Sequence, residues 1–248
     1  MLFLKIGAAV LFSHFVEGIS GFGCMILALP VVSALLGMKA AVPMLVILST
    51  LFDLMLVWKD RHQILWREVL KMTILTSITM PVGLLALQYL PEKILEFCLG
   101  AFMIVVAIYG IATSRKDESR QNKEPNSYDK LKVLFLPLAG LIQGAFGGSG
   151  PFMILYAKSV LKDKTVFRGT MAMIWVCLNT INLIQYQVGG LIDANVLKNA
   201  AAMIPFLALG YVAGTWAHKK MDSHQFNLLI YAVVFIAGIT MIRNSQLI

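Results

Sequence analysis

The chain has 248 residues, of which 58% are hydrophobic and only 14% charged, and its formal net charge is +8. A soluble domain carries roughly a quarter charged residues, so a water-soluble globule is excluded. Nucleic acid is not the expected partner of the positive balance, because the basic residues sit in short segments between apolar runs, the ordinary placement for loops on the cytoplasmic side of a membrane.

Lys5 opens the first apolar run, but this run is not read as a cleaved signal peptide. It continues through Glu17 into a Gly-rich motif that has a partner later in the chain. Four apolar blocks, roughly 2–37, 40–58, 69–90 and 94–113, precede a polar segment, and four more, roughly 133–161, 166–187, 196–217 and 226–242, follow it. A run of about twenty apolar residues crosses a ~30 Å hydrocarbon layer as a helix. The runs are continuous rather than alternating, which argues against a barrel. The segment between the two sets is rich in Lys, Arg, Asp and Glu and reads as a solvated linker. Cys24, Cys98 and Cys177 lie inside apolar runs without C-x-x-C spacing. They read as packing residues, and neither a metal nor a cofactor is expected.

The halves resemble each other. Glu17 and Gly18-Ile19-Ser20-Gly21-Phe22-Gly23 match Gln143 and Gly144-Ala145-Phe146-Gly147-Gly148-Ser149-Gly150. Gly18 pairs with Gly144, Gly21 with Gly147 and Asp53 with Asn179 at a spacing of 126, and Gly83 pairs with Gly214 and Ala101 with Ala232 at a spacing of 131. The first block, about 36 residues, is too long for one ordinary span, and the arms of its partner, roughly 133–145 and 151–161, are each too short. Each is expected to be a re-entrant hairpin, a half-helix in and a half-helix out around a Gly-rich turn. Glycine permits the positive φ of such a turn, and Pro151 suits the first turn of the returning arm. A helix N-terminus inside the membrane presents free N–H donors and a positive dipole end that can hold an anion, and broken helices of this kind mark transporter sites. The alternative is that the glycines only let helices pack closely.

Charge supports the hairpins. If every block crosses once, Lys and Arg divide thirteen to eight between the two sides; if the first block of each half re-enters, they divide sixteen to five. The positive-inside rule prefers the second arrangement, which also places the halves in opposite orientations. The expected fold is an all-α polytopic membrane protein of two inverted repeats, 1–113 and 133–248, each a broken-helix hairpin plus three transmembrane helices. They are joined by a cytoplasmic linker, 114–132, with both termini outside the cytoplasm and the chain in the cell (inner) membrane.

The paired Gly-rich motifs, the eight blocks and the polar central segment resemble the TauE/SafE family of sulfite exporters, whose members carry a Gly-rich stretch leading toward a proline early in each half. Here Pro30 follows the first copy, while Tyr156 stands where the second would carry its later proline, and Cys24 replaces a small residue. The resemblance implies a secondary transporter that exports small anions, with sulfite, related sulfur oxyanions or organosulfonates as the substrate class.

The residues expected to contact such a solute are Ser20, Gly21, Gly23, Gly147, Gly148, Ser149 and Gly150, through backbone donors and two hydroxyls. His14 and Glu17, at i, i+3 spacing in an apolar arm, are candidates for proton coupling, although a place beside a water-filled vestibule or local hydrogen bonding would account for them equally. Gln143 stands in Glu17's place in the other half and cannot titrate. Asp53 is a further coupling candidate, but its position near a span end favours a solvated aspartate. Asn179, with Thr180 and Asn182, falls mid-span, where lining a pore, with Asn179 as a further solute contact, and joining helices are both open. Arg168 reads as a positive-inside anchor, and Trp58, Trp66 and Trp216 as interfacial belt residues.

No Walker A motif appears, so ATP hydrolysis is not expected. An anion channel would use the same half-helix ends and remains an alternative. An intramembrane enzyme is a weaker one, since His14, His62, His218 and His224 are scattered and form no H-E-x-x-H. The expected partners are a small anionic solute and the lipid bilayer.

Overall fold

Inside lipid an isolated chain satisfies its backbone only as helix or closed barrel, and this one chooses helix. The computed structural model describes residues 2–114, 132–161, 163–217 and 223–245. Among them are eleven α-helices and no strand. In chain order these are α1 (Leu2–Ser20), α2 (Cys24–Leu36), α3 (Met38–Asp60), α4 (Trp66–Ser77), α5 (Met80–Tyr89), α6 (Glu92–Ser114), α7 (Phe135–Phe146), α8 (Gly150–Val160), α9 (Lys164–Val188), α10 (Ala194–Ala217) and α11 (Ser223–Ser245). The polar linker expected over 114–132 lies, but for its two ends, outside the described residues.

Helices α1, α3, α6, α9 and α10 are long and apolar enough to cross a membrane, and α4 and α5 make a sixth span if the pair crosses together. The 69–90 block is therefore not one straight helix: it is bent by 43° at residues 78–79. Pro81, at the start of α5, removes a helical N–H donor there. Thr79 Oγ1 donates to Pro137 O of α7 at 2.5 Å, so the bend is held by the neighbouring helix. The first block also departs from expectation. Its leading arm α1 has 19 residues, a full span by length, whereas α2 has 13, α7 has 12 and α8 has 11. The polar loops set the starts of two later helices. Asp163 Oδ1 accepts from the Thr165 and Val166 N–H groups at 2.9 Å, and Asp193 Oδ1 accepts from Val196 N at 2.7 Å.

The outer surface is apolar. Leu54, Ile78, Leu85, Val105, Leu209, Val212 and Ile236 are all exposed, a girdle that water would penalise and lipid tails accept. Trp58, Trp66 and Trp216 also face outward, at 76%, 61% and 64% exposure, as belt residues do.

Contacts between the halves are exchanged. α1 packs on α10 and α7 packs on α5, so the first arm of each half lies against the third block of the other, while α3 pairs with α9 and α6 with α11. The glycines matched by sequence are the points of closest approach. A Cβ on Gly18 would stand 2.9 Å from Gly214 Cα, and one on Gly144 would stand 3.0 Å from Met80 Cα and collide with the Met80 carbonyl oxygen. A Cβ on Gly83 would collide with the Leu141 carbonyl and lie 3.0 Å from the Gly144 carbonyl carbon. Gly18 and Gly144 thus do the same work in their two halves, as do Gly83 and Gly214. Gly100 and Gly238 meet likewise between α6 and α11, where a Cβ on either would lie within 2.9 Å of the other's carbonyl oxygen. Small residues at such crossings let membrane helices approach closely.

Candidate functional site

The two Gly-rich breaks have the same construction. Helix α1 ends at Ser20, and Gly21 and Gly23 take φ of 80° and 105°; helix α7 ends at Phe146, and Gly147 takes φ of 66°. These left-handed conformations suit glycine because a Cβ would be strained in them. The Gly21 N–H donates to Glu17 O at 2.6 Å, and the Gly147 N–H donates to Gln143 O at 2.8 Å, closing each arm in the same way. Each chain then turns through three residues into a short helix, α2 or α8. Neither has a side-chain cap on its N-terminus, so both present the partial positive charge of an uncapped helix start.

The breaks also meet. Met25, in the first turn of α2, lies on the second break: a Cβ on Gly148 would stand 2.7 Å from Met25 Cβ, and one on Gly147 2.9 Å from Met25 Cε. Phe22 of the first break lies 3.6 Å from where a Cβ on Gly150 would stand. The structure therefore brings Phe22 and Met25, on either side of Gly23 and Cys24, against Gly147, Gly148 and Gly150, whereas Gly21 lies against Arg168 and nothing stands within 4 Å of a Cβ on Gly23. The two hydroxyls are already engaged. Ser20 Oγ lies 2.9 Å from Val16 O and 2.7 Å from Phe22 O, to one of which its single hydrogen goes, and Ser149 Oγ donates to Gln143 Oε1 at 3.0 Å. Several backbone donors of the breaks are engaged as well: Gly21 N and Gly147 N by Glu17 O and Gln143 O, and Ser149 N by Gln143 Oε1.

A buried polar chain runs from the second break across the interface. Gln143 Oε1 accepts from both Ser149 N and Ser149 Oγ, at 3.1 and 3.0 Å, and Gln143 Nε2 donates to Asn179 Oδ1 at 2.9 Å. Asn179 Nδ2 approaches Asp53 Oδ2 at 3.5 Å. Asn182 Nδ2 donates to Gln143 O at 2.9 Å and Tyr186 Oη to Gly144 O at 3.2 Å, so one face of α9 clamps the end of α7. The mid-span asparagines join helices; Thr180 is exposed and bonds back within its own helix, to Val176 O.

On the first-half side, His14 and Asp53 are fully buried and Glu17 is 2% exposed. The solvated aspartate expected at 53 is thus corrected: Asp53 points inward seven residues before the end of α3, and a span end in sequence is not a surface in space. Glu17 and His14 are likewise buried, and the local hydrogen bonding weighed for them is present at His14. His14 Nδ1 contacts Val10 O at 2.8 Å, which makes Nδ1 the protonated nitrogen and leaves Nε2 as an acceptor. His14 Nε2, Glu17 Oε2 and Asp53 Oδ1 are buried without a hydrogen-bond partner, an expensive condition for polar atoms. One ligand atom each from His14, Glu17 and Cys24 lies within 4.8 Å of the others. That trio is one short of the four ligands in a closed zinc site. Cys24 is 3% exposed in the hydrophobic core, as a packing residue is, and its Sγ touches Ser49 Oγ at 3.2 Å.

Three features were not legible in sequence. Arg168 is not an interfacial anchor: it is 5% exposed, and its Nε and Nη2 both reach Asp60 Oδ2 at 2.7 Å. The two residues are 108 positions apart, so no local pattern announces the pair. Trp175 Nε1 donates to Gly21 O at 3.3 Å, fastening the first break to α9. Tyr156, at the position of the missing proline, places its hydroxyl between Lys71 Nζ at 2.6 Å and Glu68 Oε2 at 3.0 Å, tying α8 to α4.

Apolar helices with an exposed hydrophobic girdle, broken twice at glycines that meet over buried ionisable groups, define a multi-pass membrane protein. Residues 6–241 match the family model described as "Sulfite exporter TauE/SafE", and the chain belongs to that family. It is similar to the "Probable sulfite/organosulfonate exporter TauE" of Cupriavidus necator, with 26% identity over 203 residues covering 80% of this chain and 77% of the relative. No solved structure matches. Family membership makes this a protein of a transporter family, and the resemblance seen in the paired Gly-rich motifs is thereby established.

Proposed function

We propose that the chain is a secondary exporter of small sulfur-containing anions, sulfite or an organosulfonate, held where the two Gly-rich breaks meet. The carrying observation is the convergence of two uncapped helix starts, α2 and α8, on one interface between the halves. The first N–H groups and aligned dipoles of two helix starts stabilise a negative charge there without a net countercharge, so the anion binds and still leaves. The name of the Cupriavidus necator relative supplies the substrate class. Glu17, His14 and Asp53 take the coupling role, with a proton moving among acceptor atoms that have no other partner.

The test is binding followed by flux. Purified protein is expected to melt at a higher temperature with sulfite or methanesulfonate than with an uncharged solute, because a ligand for the folded state alone stabilises it. Proteoliposomes should then lose loaded sulfite faster when a proton gradient is imposed. Melting curves indifferent to every sulfur oxyanion and sulfonate would reject the proposal.

The halves are proposed to face opposite ways across the inner membrane, with the central linker in the cytoplasm and both termini outside. Support comes from the sixteen-to-five division of Lys and Arg and from the exchanged packing of α1 on α10 and α7 on α5. In a background lacking Cys24, Cys98 and Cys177, His62→Cys and Asn195→Cys are expected to react with impermeant maleimides from opposite faces. Labelling from one face would remove the inversion.

A further inference from the structure

Arg168 carries a buried donor that none of the described residues uses. Its Nε and Nη2 are both spent on one oxygen, Asp60 Oδ2, at 2.7 Å. Nη1 is buried with no hydrogen-bond partner, although the residue is 5% exposed and its counter-ion Asp60 8%. A guanidinium is always charged and matches an oxyanion through two parallel N–H groups. Leaving one of its faces empty in a water-poor interior is costly.

Its position gives the empty face a purpose. Arg168 lies over the first break: a Cβ on Gly21 would stand 3.3 Å from Arg168 Cγ and 3.7 Å from its Cα. Two turns further along α9, Trp175 holds the Gly21 carbonyl, so the stretch of α9 from 168 to 175 lines that break. The Asp60 backbone is pressed against α9 as well, since a Cβ on Gly169 would stand 3.1 Å from Asp60 Cβ. The pair therefore sits where the 60–66 loop and the start of α9 meet, on the side that collects most of the Lys and Arg.

We infer that Arg168 is an anion-binding residue at the mouth of the first Gly-rich break, and that Asp60 is an internal counter-ion which the solute's oxyanion group displaces. This rests on the anion-transport reading above and adds to it a named cation and a competitor. The Arg168–Asp60 pair is neutral overall, so Asp60 offsets most of the cost of burying the guanidinium while the site is empty, and only Nη1 is left unpartnered. A sulfite or sulfonate group takes the free Nη1 and then the Nη2 now held by Asp60. Asp60, the last residue of α3 and next to the 3₁₀ turn of residues 61–63, then gives up the guanidinium and turns toward that loop. Because the carboxylate competes for the same donors, only a fraction of the molecules is open to the anion, and apparent affinity is lowered by that fraction.

The experiment compares full-length wild type, Asp60→Asn, Arg168→Gln and the double variant by thermal shift, titrating sulfite and, separately, methanesulfonate at constant ionic strength. Asp60→Asn is expected to melt lower without anion, yet to bind sulfite at least about tenfold more tightly, because its internal competitor is gone. Tighter binding is an effect that simple structural damage does not produce. Arg168→Gln should lose most of the sulfite-dependent shift, and the double variant, which removes both charges and leaves no buried ion unpaired, should lose it while staying folded even if Arg168→Gln alone is not. An unchanged apparent Kd in Asp60→Asn, or a double variant that responds to sulfite like wild type, overturns the inference while leaving the transporter reading in place. No response in wild type to either anion takes both down together.

Discussion

Replacing Gln143 with leucine is expected to collapse the second break and abolish transport. Gln143 is fully buried, and its amide serves three partners at once: the Ser149 amide, the Ser149 hydroxyl and Asn179. Leucine fills a similar volume but accepts and donates nothing. A buried polar group left without a partner costs about 1–3 kcal/mol, so with two Ser149 donors and Asn179 Oδ1 orphaned the loss is on the order of 4 kcal/mol or more. Denaturant unfolding in detergent micelles would read this as a large drop in midpoint. Gln143→Glu separates the contributions. Its carboxyl oxygen still accepts from Ser149, but the other oxygen faces the Asn179 carbonyl in place of a donor, so the cost should be at least the ~1–3 kcal/mol of one orphaned buried group, and it recreates at this position the residue that Glu17 supplies in the other half. A leucine variant as stable as wild type would show that the second break does not depend on this network.

Glu17→Gln is expected to leave a folded, solute-binding protein that no longer links solute movement to protons. The amide keeps the size of the carboxylate and takes from the buried site only its ability to carry and release a proton. Glu17 is 2% exposed, with Oε2 unpartnered, while His14 Nε2 and Asp53 Oδ1 are similarly unengaged. Intramembrane ionisable groups retained at such cost are typically part of an ion pathway. Gradient-driven sulfite flux in proteoliposomes should fall at least about tenfold, the scale on which a positioned proton donor or acceptor acts, whereas solute-dependent stabilisation of the purified protein should persist. Asp53→Asn should behave in the same direction. Full proton-driven flux in both variants would remove these groups from the coupling route. The symmetry of the fold sharpens the point: the equivalents, Gln143 and Asn179, are already the amides that such substitutions create, so one half of the molecule is the natural control for the other.

The sequence by itself determined the medium and the plan. Continuous apolar blocks could only be membrane helices, because lipid offers no partner for an open backbone. The Gly-rich motifs at a spacing of 126 located both breaks, because positive φ is a local property that glycine alone accepts cheaply. The pairings Gly18 with Gly144 and Gly83 with Gly214 were also legible, although not that each glycine would touch a member of the other pair. What needed the tertiary structure was everything set by distance through space. Asp53 was read as solvated from its place near the end of a block, and Arg168 as an anchor from its place at the start of one, yet both are buried. The bend between α4 and α5 is held by Pro137 of the other half. The hydroxyls of Ser20 and Ser149 proved to be engaged already, by nearby backbone and by Gln143. Sequence pattern reports what a helix face or a turn demands of its own residues. The charge state, burial and partner of a polar side chain depend on which other helix arrives beside it, and here the decisive neighbours, Asp60 for Arg168 and Asn179 for Asp53, come from the opposite half of the chain.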